Sequence, residues 1–307
     1  MKVALRDLPF AKWEGCGNDY LFVDLRGSSR ERIEAVVELA PEISQAWSDR
    51  RAGIGADGLV LLLNEPEADL RLAMWNADGS RGAVCGTALR CTTAILAKER
   101  GGAAHLRLAS DAGFHATRVD HHSHGIFRTA VDLGRPSFDA AAIPFDSDRA
   151  PGASGGATSP FRVRLPIGTA RSEGMVLSMG NPHLIVPVDV DPADLDLETL
   201  GPPLESADYF PDRANVSFAQ VVDSDSIVQR TYERGTGETL SCGSGACAAV
   251  VALTSSGQLE RGQEVSVRMP GGKLGVEWLE SGEVWLSGPA KEVFTGRADL
   301  PLLAGSH

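Results

Sequence analysis

One pattern occurs twice in this chain and constrains its fold more than anything else. Residues 84–99 read VCGTALRCTTAILAKE and residues 240–256 read LSCGSGACAAVVALTSS. Each is a cysteine, a glycine, a hydroxyl residue, small or apolar residues, a second cysteine and a long apolar run. The leading cysteines, Cys85 and Cys242, lie 157 positions apart in a chain of 307. A helix-length stretch with almost no charge on any side is a buried helix. Strand-like runs bounded by Gly, Pro, Asp or Asn surround both copies, among them YLFVDL, LVLLL and LRLAMW in the first half and HLIVPVD, VSFAQVVD and SIVQRTY in the second. Strands wrapped around a central helix, twice, is the architecture this pattern allows.

The remaining signals fill in the organisation. SRERIEAVVELA, 29–40, carries Ile33, Val36, Val37 and Ala40 on one stripe and reads as a single amphipathic helix covering a surface. DRAPGASGGATSP, 148–160, reads as an exposed loop within or beside the junction between halves. His121, His122 and His124 in VDHHSHG read as a solvated turn between two strands.

Several classes of function are excluded. The net charge is −12 with no basic run, which leaves nothing to neutralise a phosphate backbone, so no nucleic-acid partner is expected. The longest apolar run, LVLLL at 59–63, is too short to span a bilayer, and the first residues lack the apolar core of a signal peptide. A cytoplasmic protein without a membrane partner is the expectation. The five cysteines are odd in number and include no C-x-x-C, so reduced thiols are expected, with no metal site. Cys91 and Cys247, inside the apolar helices, are expected to pack the cores. GIGADG, 53–58, satisfies G-x-G-x-x-G but leads into a strand-like run, which rejects a dinucleotide site. Only five lysines occur, none in an evident phosphate-cofactor setting, and no cofactor is expected.

The twin cysteines suggest chemistry. Each falls just before its helix, where orphan N–H groups and the positive dipole end favour thiolate. The N–H groups of Gly86 and Thr87, and of Gly243 and Ser244, make a matching pair of anion sites. Nine positions before each cysteine stands a polar residue in a glycine-containing loop, Asn76 in one copy and Glu233 in the other. Two like residues across one ligand suit a reaction nearly symmetric about its reacting atom. Inversion of an amino-acid α-carbon is such a reaction: one thiolate removes the proton and the opposing thiol returns one. Donors aimed at the carboxylate stabilise the charge that develops there.

Six blocks, two of them containing the repeated cysteine pattern, carry a family resemblance: GCGNDYLFVD (15–24), RRAGIGADGLVLL (50–62), NADGSRGAVCGTALRC (76–91), MGNPHLIV (179–186), RANVSF (213–218) and YERGTGETLSCGSGACAA (232–249). In this order the chain resembles the diaminopimelate epimerases, epimerases that work without pyridoxal phosphate. The resemblance implies an α+β fold of two pseudo-symmetric lobes, each a β-barrel-like mixed sheet wrapped around a central helix. The expected lobes are residues 1–131, completed by 290–307, and residues 132–289. It further implies that Cys85 and Cys242 are the catalytic acid/base pair acting on LL-diaminopimelate, on the path to lysine and peptidoglycan. Gly86, Thr87, Gly243 and Ser244 would hold the reacting carboxylate, with Asn18 lining the pocket. Asn76, Asn181, Asn215, Glu233 and Arg234 would read the distal amino-acid head, Arg234 by a charge-assisted contact. His183 would orient a cysteine or the substrate, and a homodimer is the candidate assembly.

Some residues depart from the family. Many relatives read C-G-N-G-A-R-C where this chain reads C-G-T-A-L-R-C; Thr87 keeps a backbone N–H, and Leu89 is expected to add volume that tightens the pocket. Cys16 stands where relatives have an apolar residue and reads as a small buried thiol, and Gly58 stands where some place glutamine. These departures keep open a racemase of the same fold acting on another amino acid such as histidine. A non-enzymatic ligand-binding or thiol-redox protein is the third reading; it would need neither the anion sites nor the distal polar set.

Overall fold

The computed structural model describes residues 7–102, 105–166 and 173–299. The chain divides into two compact units, one of Met1–Val131 with Gly288–His307 and one of Asp132–Ser287. Residues 300–307 of the expected C-terminal completion lie outside the described residues.

In the first unit β1 (Leu8–Gly15) and β2 (Asn18–Asp24) form a hairpin closed by Cys16 and Gly17 alone. Their φ angles are 57° and 80°, the doubly left-handed geometry of a type I′ turn. Two short helices follow, α1 (Arg30–Glu38) and α2 (Ala40–Ser48). The single helix expected over 29–40 is corrected here: the chain breaks at Leu39 (φ −91°, ψ 0°), and Pro41 opens a new helix. Proline has no N–H to give to a continuing helix but fits a first turn. The stripe is as read, with Val36 and Ala40 fully buried and Ile33 and Val37 packed beside them.

The sheet continues with β3 (Gly58–Leu63), β4 (Leu70–Asn76) and the two-residue β5 (Arg81–Gly82). Then come α3 (Gly86–Arg100), β6 (His105–Ser110), β7 (Gly113–Ser123) and β8 (Ile126–Asp132). Of the histidine cluster only His124 occupies the turn. His121 and His122 belong to β7, paired with Arg128 and Phe127, and the His122 ring stacks on Phe127 at 3.9 Å.

The second unit holds β9 (Phe161–Arg164), β10 (Glu173–Ser178), β11 (Pro182–Pro187), α4 (Leu197–Glu205), β12 (Asn215–Asp223), β13 (Ser226–Glu233) and β14 (Gly237–Thr239). After α5 (Gly243–Ser255) come β15 (Glu264–Met269), β16 (Gly272–Trp278) and β17 (Val284–Ala298). Residues 148–160 do not join two halves; they lie inside this unit and are anchored to its core. Ala150 is buried among Ile143, Phe145 and Val163, and Arg164 donates its N–H to the Pro151 carbonyl at 2.7 Å.

Pairing order repeats between the units. In the first it runs β17–β1–β2–β3–β4–β6–β7–β8, antiparallel except at β2–β3 and β4–β6, with β5 appended to β4. A β8–β17 pairing closes this ring of eight. In the second it runs β9–β10–β11–β12–β13–β15–β16–β17, antiparallel except at β11–β12 and β13–β15, with β14 appended to β13. The fold is therefore α+β, two pseudo-symmetric lobes of mixed sheet each wrapped around one helix. Every residue of α5 from Gly245 to Leu253 is buried, as is nearly all of α3 from Thr87 to Ala97. Among the described residues no helix is long and apolar enough to cross a membrane.

Candidate active site

The repeated pairing places the two leading cysteines alike. In each lobe a long strand ends at the residue nine before the cysteine, Asn76 on β4 and Glu233 on β13. A tight return strand pairs back on it, Trp75 opposite Arg81 and Glu233 opposite Gly237. The chain then enters the helix with the cysteine as N-cap: Cys85 has φ −141°, ψ 128°, and Cys242 has φ −123°, ψ 107°. Neither helix start has a side-chain cap. The first helical bonds run from the Leu89 N–H to the Cys85 carbonyl (3.0 Å) and from the Ala246 N–H to the Cys242 carbonyl (2.9 Å). The N–H groups of Gly86, Thr87, Gly243 and Ser244 thus precede both ladders, as an anion site requires.

In the second lobe Cys242 is 5% exposed, with its sulfur 3.7 Å from the Ser244 hydroxyl. Helix-start placement alone would favour thiolate, but burial pushes this thiol well up, and the neighbouring charge of Glu233 adds to that. The Gly245 N–H and the Ser244 hydroxyl pull the other way and do not prevail. The Thr239 hydroxyl donates to Glu233 and fixes that carboxylate.

Asn215 is buried, and both ends of its amide are engaged. Oδ1 accepts the Arg234 N–H at 3.0 Å and Nδ2 donates to the Pro182 carbonyl at 3.2 Å. It holds the loop that presents Arg234. The guanidinium of Arg234 donates to the Asp212 carbonyl at 3.1 Å, and no carboxylate pairs with it among the described residues. Asn181 Oδ1 lies 2.9 Å from His183 Nε2. His183 is fully enclosed, and burial, then the charge of Arg234, holds its pKa down at about 3. It is a neutral imidazole.

In the first lobe Cys85 is half-buried. Asn18 leaves the β1–β2 turn with its Oδ1 buried and without a hydrogen-bond partner among the described residues. Asn76 is exposed, and its Nδ2 donates to Ser80 Oγ at 2.9 Å. Thr87 turns its hydroxyl inward, accepting from Arg90 Nη2 at 3.3 Å, so only its N–H faces the helix start. Leu89 is 0% exposed and is part of the buried core. Cys16 is buried as read, but in left-handed backbone. Cys91 and Cys247 are both 0% exposed, in the cores.

One supporting group has no motif of its own. Asp19, beside Asn18, takes Lys12 at 2.7 Å and Arg50 at 2.6 Å, and Arg50 also reaches Asp57 at 2.9 Å. Burial by itself would raise Asp19, but the bonds from Arg50 and Lys12 hold it below the usual carboxylate range. Burial keeps Asp57 above that range. This cluster ties the GND turn to the GADG loop. Its charges come from separate stretches of the chain, so no periodicity announced it.

The fold, two lobes of the same pairing order each wrapped around one helix, is shared with other solved structures. A hydroxyproline epimerase from Agrobacterium vitis superposes with a TM-score of 0.65 over 98% of this chain and 93% of that one, at 12% identity. That likeness concerns the fold alone. The family model for diaminopimelate epimerase matches residues 10–138 and 175–293. The diaminopimelate epimerase of Magnetococcus marinus is 38% identical over 288 residues, covering 94% of this chain and 95% of that one. That of Pelotomaculum thermopropionicum is 39% identical over 295 residues, covering 94% and 97%. The chain belongs to the diaminopimelate epimerase family, and it is an isomerase.

Proposed function

We propose that this chain epimerises LL-diaminopimelate to meso-diaminopimelate by cofactor-independent two-base catalysis, a step toward lysine and the peptidoglycan precursor. The observation that carries the reading is the cysteine N-cap on a buried helix in each lobe of a chain of this family. Cys85 and Cys242 are the acid/base pair: a thiolate takes the α-proton from one face and a thiol delivers one to the other. Negative charge develops on the substrate carboxylate, where the helix-start N–H groups of Gly86, Thr87, Gly243 and Ser244 stabilise it. Asn18 offers a buried carbonyl oxygen in need of a donor. Asn76, Asn181, Glu233 and Arg234 read the distal head, and Asn215 holds Arg234 in place for it. The guanidinium of Arg234, with no carboxylate on it among the described residues, is suited to one.

Five cysteines, none of them in a disulfide, suit a reducing compartment, which supports a cytoplasmic enzyme. A homodimer is the proposed assembly, with the exposed Val293 and Phe294 on β17 as its support and sedimentation velocity as its check. Turnover in deuterated water tests the chemistry. Product should acquire solvent deuterium at the inverted carbon, and diaminopimelate should be preferred over a panel of monoamino acids. Turnover without exchange excludes the two-base step, and a preference for histidine transfers the reading to a racemase of that amino acid.

A further inference from the structure

Arg90 sits on α3 five positions after Cys85 and is 0% exposed. A fully buried guanidinium is costly, and proteins normally pair it with a carboxylate. Among the described residues Arg90 has no such partner. Its Nη2 donates to the Thr87 hydroxyl at 3.3 Å, while Nε and Nη1 have no hydrogen-bond partner. Long helical side chains lean back toward the helix N-terminus, so this charge lies behind the first turn of α3. The β1–β2 hairpin makes room for it. A Cβ on Gly15 would come within 2.9 Å of Nη2 and 2.6 Å of the Pro289 carbonyl, so glycine is required there. The titratable groups nearest in effect are Cys16 and Cys91, which feel the charge of Arg90, and Glu14, which acts on both thiols.

The other lobe handles the same place differently. Five positions after Cys242 stands Cys247, also 0% exposed. Against the first turn of α5 lies a neutral group instead of a cation. Gln229 Nε2 donates to Ser217 Oγ at 3.1 Å and to Thr231 Oγ1 at 2.9 Å, and Gln229 Nε2 and Ser217 Oγ both lie beside Gly245. Two otherwise matching helix starts thus differ by one buried positive charge.

We infer that Arg90 is a positioning residue whose guanidinium is the fixed countercharge behind the α3 helix start, acting through Thr87 on a carboxylate bound there. This rests on the reading that a substrate carboxylate occupies that helix start. The ligand supplies the negative charge the fold withholds. As the α-proton leaves, that carboxylate gains further charge, so Arg90 aids the transition state more than the ground state.

The test uses full-length wild type, Arg90→Met and Arg90→Lys, with calorimetric binding of diaminopimelate, kcat and KM by α-proton exchange, and thermal melting. Removing an unpaired buried charge at near-constant volume should leave the melting temperature unchanged or raised. Affinity should nevertheless fall about 10-fold or more, the effect of one opposite charge on a nearby ion, with kcat lowered as well. Arg90→Lys should recover part of both. A folded Arg90→Met with wild-type affinity and kcat overturns the inference. So does parallel loss of stability and activity in both variants. If Arg90→Met does not fold, Thr87→Val decides, because it removes the hydroxyl that links Arg90 to the helix start and keeps the peptide N–H: lowered affinity supports the inference and unchanged affinity overturns it. Wild type that binds diaminopimelate without exchanging its α-proton removes the epimerase reading, yet the affinity comparison still decides Arg90. Wild type that binds none overturns both.

Discussion

His183 makes the stability of the second lobe depend on pH in a calculable way. In the folded protein burial and the charge of Arg234 hold its pKa near about 3, against an ordinary 6.5. The unfolded chain therefore takes up a proton at this ring below pH about 6.5 that the folded chain refuses. Stability from a depressed folded pKa is fully present above the unfolded value and drains away as pH falls toward the folded one. Each pH unit inside that window removes about 1.4 kcal/mol. Between pH about 6.5, where the unfolded ring is already half protonated, and about 4.5 the loss from this residue alone is about 2.3 kcal/mol. His183→Gln removes the titration. Urea denaturation of wild type and variant, followed by tryptophan fluorescence at pH about 7 and about 4.5, isolates it as a difference of differences. Any fixed cost of losing the Asn181 contact cancels, because it is the same at both pH values. The wild type should lose about 2–3 kcal/mol more than His183→Gln on acidification. A difference constant to within about 0.5 kcal/mol would refute a buried neutral imidazole, and with it the claim that desolvation dominates at this position.

Other outcomes follow from the same geometry. Arg234→Met should keep the fold and raise KM for diaminopimelate sharply, at a cost of about 2–5 kcal/mol in binding, the scale of truncating one partner of a desolvated charge pair; near-normal steady-state kinetics would show that Arg234 does not read the distal head. Gly245→Ala would place a methyl 3.1–3.2 Å from Ser217 Oγ, Cys242 Sγ and Gln229 Nε2. It should destabilise by about 1–3 kcal/mol and lower kcat, with circular dichroism unchanged, because the displaced atom is the proposed acid/base. Mild oxidation should abolish activity reversibly through a Cys85–Cys242 bond, and bound substrate should protect. Peptide mapping checks this: Cys91 and Cys247, both fully buried, should be recovered as free thiols.

The sequence carried the architecture well, for a physical reason. The two central helices are apolar on every face, and no exposed helix tolerates that, so their burial was forced by composition. The twin cysteines were legible because a repeat is a comparison within one chain and needs no other. Less visible was anything set by backbone strain or by long-range charge. The break at Leu39 depended on which turn of a helix Pro41 would occupy, which the apolar stripe does not encode. Cys16 read as a buried thiol, but its left-handed backbone came from the two-residue hairpin around it. The elevated thiol of Cys242 ran against the expectation from helix dipoles, because the degree of burial is a tertiary quantity. Arg90 stands inside a motif, and only its burial shows a charge without a carboxylate partner among the described residues.

β17 has a consequence for how the protein is made. Its first residues pair with β16 in the second unit, Gly275 opposite Ser287 and Trp278 opposite Val284. Its later residues pair with β1 in the first, from Lys291 opposite Glu14 to Ala298 opposite Leu8. A ribosome therefore finishes the entire second lobe before the first receives its closing strand. Until then β1 waits with one row of peptide groups unsatisfied, an open edge of the kind that recruits foreign strands. The nascent chain carries that vulnerable edge for roughly 280 residues of synthesis, which at about 5–20 residues per second is on the order of 15 to 60 seconds. Truncations that stop short of residue 291 should leave a second lobe with its own strands complete and a first lobe prone to aggregate.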